Sequence, residues 1–78
     1  MIDLARIEAA RTRIAGAVHE TPCTYSEALS ELTRTRCVVK LENLQRTGSF
    51  KERGAANFLL QLPAAARTRG VVAASRGR

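Results

Sequence analysis

The sequence predicts an α/β chain in which parallel strands are joined by helical crossovers. Three stretches carry that expectation. Leu4, Ile7, Ala10, Ile14 and Val18 recur at three- and four-residue spacing, the period of a helix with one apolar face. Cys37-Val38-Val39 is rich in β-formers. Val71-Val72-Ala73-Ala74, following a second helical pattern, is an apolar run of the length expected of a strand buried on both faces. Strand, helix and strand at that spacing imply a parallel pair with a right-handed crossover.

The elements follow in order. Asp3 can cap the first helix, because its side-chain oxygen can accept a free amide of the first turn. That helix is expected to end near Val18 to Glu20, since Pro22 lacks an amide donor and drives Thr21 toward extended geometry. Cys23 then falls in a loop. Ser26 reads as the cap of a short helix, Glu27 to Leu32, with Leu29 and Leu32 facing inward. A strand from Cys37 to Leu41 or Glu42 delivers the chain to a polar loop ending at Gly48, which permits a tight turn. Ser49, with Glu52 three residues on, reads as a capping box opening a third helix. Its apolar stripe is Ala55, Ala56, Phe58, Leu59 and Leu62, and Pro63 stops it. Ala64 to Arg67 adds a helical turn that Gly70 breaks. Residues 1–78 show no repeat, low-complexity tract or internal domain boundary.

A chain of 78 residues is at most one small domain. Its net charge of +6, from 13 basic against 7 acidic residues, would by itself attract a polyanion. The basic residues are nearly all arginines scattered from Arg6 to Arg78, and only Tyr25, Phe50 and Phe58 could stack on bases. The chain is therefore expected to bind no nucleic acid. A small basic non-catalytic nucleic-acid-binding module stays as the alternative from another class. Cys23, Cys37 and the single His19 form no metal-ligand pattern, so no metal is expected, and reduced thiols suit a cytoplasmic protein. No stretch is apolar enough to predict export or a membrane anchor.

Lys51 is where the residues point to chemistry. The capping box would place it in the first helical turn, where free backbone N–H groups and the positive end of the helix dipole disfavour a further positive charge. Arg46 and Arg53 flank it with like charge. Both effects favour the neutral amine, the form that attacks a carbonyl, which makes Lys51 a candidate Schiff-base lysine. Gly48-Ser49-Phe50-Lys51 is not a Walker A phosphate loop, because the glycine that motif needs upstream is absent.

Thr47-Gly48-Ser49-Phe50-Lys51-x-Arg53-Gly54-Ala55 resembles the lysine motif of the fold-type II pyridoxal-phosphate enzymes. Lys40-Leu41-Glu42-x-x-Gln45 before it and Ala55-x-Asn57 after it are similar to the threonine/serine dehydratase and serine racemase branch. The resemblance covers essentially the whole chain and implies an N-terminal fragment of the tryptophan synthase β-like fold. It further implies that Lys51 carries pyridoxal 5′-phosphate, that Phe50 lies beside the cofactor, and that Ser75 opens the loop holding the substrate carboxylate. The intact enzyme would be a homo-oligomer acting on a small amino acid, eliminating water from L-threonine or L-serine and releasing ammonia and a 2-oxo acid. Serine racemase and threonine synthase are the alternatives within the same fold. Arg76 and Arg78 depart from the family's pattern after Ser75, which is expected if the homologous sequence stops at Gly77. The fragment itself is expected to be inactive.

Overall fold

The side chain of Asp3 accepts the Arg6 amide at 2.9 Å and opens α1, Leu4–Ile14, in a computed structural model that describes residues 1–74. Helix α1 stops at Ile14, several residues earlier than its apolar spacing suggests. The amides of Ala17 and Val18 both turn back to the Ile14 carbonyl, so Val18 belongs to a closing turn. Strand β1, Cys23–Tyr25, follows Pro22, which puts Cys23 in a strand rather than a loop. Helix α2 spans Glu27–Thr33 and is capped as expected, with Ser26 Oγ accepting the Leu29 amide at 3.2 Å. It ends at Arg34, whose φ of 55° is left-handed.

Leu29 and Leu32 do not face inward; Leu32 is 79% exposed, and Ser30 is the buried residue of α2. The reason is a polar one. Ser30 Oγ accepts the Cys37 amide at 2.9 Å, and the Thr35 amide returns to the Ser30 carbonyl, so the connection to the next strand is bonded across the Ser30 face.

Strand β2, Val38–Lys40, pairs antiparallel with β1, placing Thr24 opposite Val39. The pair is extended at both ends by backbone bonds from Ser26 N to Cys37 O and from Leu41 N to Pro22 O, each 3.0 Å. The connection between them, a single short helix, allows the strands to fold back on each other. The parallel pairing expected of β2 with Val71–Ala74 is not seen among the described residues. Residues 71–74 lie outside any strand and are exposed, with no neighbouring backbone to complete a ladder.

A short 3-10 turn, Glu42–Leu44, leads to α3, Lys51–Leu59. Pro63 separates it from α4, Ala64–Arg69, and Gly70 ends α4 with a φ of 80°. The apolar stripe read into the third helix stays largely open; Phe58 and Leu59 are exposed while Ala56 and Leu62 are half-buried. Helices α1 and α3 do meet, and Arg13 Nη1 donates to Asn57 Oδ1 at 2.6 Å across that seam. Ile14 is the one buried large apolar residue among those described, at 6% exposure. The radius of gyration is 16.0 Å, against about 11.5 Å for a compact domain of this length. The elements therefore form an open arrangement whose centre is held by polar bonds as much as by apolar packing.

Candidate active site around Lys51

The site begins with a turn. Gly48 has a φ of 73°, a left-handed conformation that glycine reaches without a Cβ penalty, and its amide donates to the Gln45 carbonyl at 2.9 Å. This reverses the chain into α3. The capping box forms differently from its expectation: Ser49 Oγ accepts the Lys51 amide at 3.2 Å, and Glu52 reaches the amide and hydroxyl of Thr47, each at 3.1 Å, instead of Ser49. The first turn is tight, with the Arg53 amide on the Phe50 carbonyl three residues back, so the donors sit one step out of register with the box. Lys51 is nevertheless the first residue of α3.

The flanking arginines each make bonds of their own, and Arg53 is paired with a carboxylate. Arg46 Nη1 donates to the Ala17 carbonyl at 3.3 Å. Arg53 Nε donates to Glu42 Oε1, and its Nη2 lies 3.4 Å from the other carboxylate oxygen. Thr21 donates its hydroxyl to the same carboxylate, and Gln45 Nε2 approaches it at 3.3 Å. Arg53 first, then Thr21, hold the Glu42 carboxyl at about 2, below its ordinary 4.5, while burial opposes them. Glu42 in turn pushes Arg53 up.

Lys51 opens onto a cleft of about 620 Å³ walled by Lys40, Glu42, Phe50, Lys51, Arg53 and Gly54. That volume lies in the range of small-molecule sites, which span about 300 to 1,000 Å³. The wall is mostly apolar, and Phe50 is 69% exposed, its ring available as a flat platform. Gly54 adds room: a Cβ there would meet no atom within 4 Å and would project into open space. The chain has only two lysines. Lys40 Nζ is held by the Thr21 carbonyl at 2.6 Å, whereas the Lys51 side chain makes no hydrogen bond or ion pair among the described residues. An unengaged primary amine beside an exposed aromatic ring in an open apolar cleft fits an aromatic aldehyde.

The family model for pyridoxal-phosphate-dependent enzymes matches residues 14–78, from the buried end of α1 through the Lys51 turn. The chain belongs to this family. Within it, a provisionally named threonine dehydratase of Sinorhizobium fredii is 55% identical over 97% of the chain and 23% of its own length. An L-threonine ammonia-lyase of Thermotoga maritima is 49% identical over 99% of the chain and 19% of its own length. A serine racemase of Dictyostelium discoideum is 40% identical over 97% of the chain and 24% of its own length. The chain thus spans about a quarter or less of the length of these relatives. No solved structure matches it.

Of the residues the sequence singles out, the structure brings Lys51 and Phe50 to one cleft. Ser75 lies outside the described residues. Sequence reasoning missed the carboxylate network of Glu42, Arg53, Thr21 and Gln45. The spacing Glu42-x-x-Gln45 was visible, but the partners Thr21 and Arg53 stand 21 and 11 residues from Glu42, beyond any local period. Among the described residues no three metal-ligating side chains gather, and no helix is long and apolar enough to cross a membrane.

Proposed function

We propose that this chain contributes the cofactor lysine and one wall of the active cleft to a pyridoxal-phosphate-dependent threonine/serine dehydratase. The enzyme removes water from L-threonine or L-serine and releases ammonia and a 2-oxo acid. The observation that carries the reading is the free side chain of Lys51 at the start of α3, facing a cleft beside Phe50. The relatives named threonine dehydratase or threonine ammonia-lyase, at 55% and 49% identity, favour the dehydratase over the racemase, whose relative stands at 40%.

When bound, pyridoxal phosphate supplies an aldehyde for an amine to condense with and a ring that takes up the electron pair released at the substrate α-carbon. The chain's own residues do the rest. Lys51 would hold the cofactor through Nζ, and its free amine would move the proton at the substrate α-carbon. Phe50 supplies apolar surface against the ring. Ser75 would bind the substrate carboxylate. In this reading residues 1–78 form part of one catalytic domain with no internal boundary, and Val71–Ala74 joins a parallel sheet of the complete fold. The complete enzyme is a cytoplasmic homo-oligomer, a setting in which Cys23 and Cys37 remain the free thiols seen here.

Labelling tests it directly. The full chain is incubated with pyridoxal phosphate, reduced with borohydride and digested, and the peptides carrying Lys40, Lys51 and the N-terminal amine are weighed. The adduct forms by loss of water between amine and aldehyde; hydride then reduces the carbon–nitrogen double bond to a stable secondary amine. Label should concentrate on Lys51 and vanish from that peptide in Lys51→Ala. Equal labelling of Lys40 and Lys51 would count against the assignment. A salt-sensitive shift on random-sequence DNA without label at Lys51 would favour the basic binding module instead.

A further inference from the structure

Three segments of the chain converge on one carboxylate. Glu42 lies just after β2; it receives the Thr21 hydroxyl from the segment after α1, Gln45 from just past the 3-10 turn, and the guanidinium of Arg53 from the first turn of α3. Gln45 is itself only 4% exposed and fixed by two bonds to the His19 backbone. Arg53 is two residues beyond Lys51, and both line the same cleft. The N-terminus of α3 has few other ties to β2: the Gly48 amide bonds back to the Gln45 carbonyl, and the Glu52 bonds to Thr47 are local to the loop.

We propose that Glu42 is a positioning residue for Lys51, acting through Arg53 to hold the start of α3 against the end of β2 so that the Lys51 side chain faces the cleft. The inference rests on the reading of Lys51 as the cofactor lysine. It assigns a second task to the same contact. While Glu42 holds Arg53, that guanidinium is occupied; released, it would be a mobile cation in the cleft beside Lys51. The pair is a bidentate arginine–carboxylate contact, whose planar fork fixes direction as well as distance, so a single tie suffices to orient the turn.

Lys40 is a built-in control, because it lines the same cleft while its Nζ is bonded to the Thr21 carbonyl and not to Glu42 or Arg53. The labelling experiment is repeated on the full chain with Glu42→Gln, Arg53→Gln and the double variant, reading the ratio of label at Lys51 to label at Lys40. Each single variant should lower the Lys51 label about threefold or more, and the double should fall no further, as expected for two members of one bonded unit. Should Lys40 labelling rise in Glu42→Gln, reporting loss of the local fold, Arg53→Gln decides, since it leaves Thr21 and Gln45 on Glu42. Lys51 label unchanged in Arg53→Gln would overturn the inference while leaving the cofactor lysine in place. Absence of preferential Lys51 label in the unsubstituted chain would overturn the reading of the lysine and this inference with it.

Discussion

The side chain of Gln45 pairs with the backbone of His19 in both directions: its Oε1 accepts the His19 amide at 2.9 Å and its Nε2 donates to the His19 carbonyl at 2.8 Å. A side-chain amide here does what a neighbouring strand would do. It ties the segment after α1 to the turn before α3, where the chain has no sheet to make the connection. Gln45→Ala should leave both His19 groups without this partner and cost about 1 to 3 kcal/mol. Faster hydrogen exchange at the His19 amide, alongside a lower urea midpoint, is the expected result.

Glu42 should make the fold acid-sensitive in a defined window. Its carboxyl is held at about 2, against an ordinary 4.5, chiefly by Arg53 and then by Thr21. A carboxyl depressed in the folded state binds fewer protons there than in the unfolded chain, so its stabilisation is complete above the unfolded value and is lost as pH falls toward the folded one. Denaturation midpoints should be flat in this respect above about pH 5 and decline from there toward about pH 2. Glu42→Gln should flatten that decline, and the side-chain carbon shifts of Glu42 should titrate below the ordinary carboxyl range.

Gly48→Ala tests the turn. A Cβ there would stand 4.0 Å from the Asn43 carbonyl oxygen, an ordinary contact, so the cost is conformational and not steric. Holding alanine at a φ of 73° should cost about 1 to 2 kcal/mol. The same substitution at Gly54, where φ is unremarkable and a Cβ is unopposed, should be neutral or stabilising, because it lies within α3. Comparing the two denaturation midpoints checks the assignment.

Ile14 is the apolar anchor of the described chain. Ile14→Ala should destabilise by about 2 kcal/mol, the low end for a core isoleucine, because the surrounding elements are open enough to collapse around the gap. Leu32→Ala, at an exposed position, should change stability by less than about 0.5 kcal/mol. Equal effects at the two positions would mean that burial has been assigned to the wrong faces.

Local grammar was legible without coordinates. The caps at Asp3 and Ser26, the turn at Gly48 and the end at Gly70 each depend on one residue's own geometry or hydrogen-bonding reach, and each lies where the residues say, whereas α1 and α3 end at Ile14 and Leu59, short of the prolines expected to stop them. The inward face of α2 was misread because the apolar period of Leu29 and Leu32 is outweighed by a polar contact, Ser30 to the Cys37 amide, that no helical pattern encodes. The capping box was read with the right residues and the wrong partners. In the tight first turn Glu52 accepts the Thr47 amide in place of the Ser49 amide.

The order of residues from Thr47 to Ala55, taken alone, was enough to single out Lys51 and to suggest its chemistry, because the lysine motif is contiguous and its turn is built from adjacent residues. What only the tertiary structure decided is the company Lys51 keeps. Arg53, read as a neighbouring like charge, is bound to Glu42; Lys40, the other lysine, is bound to Thr21; and the strands meet antiparallel. Those choices depend on which distant groups come within hydrogen-bonding reach once the chain folds, and separation along a sequence carries no measure of that distance.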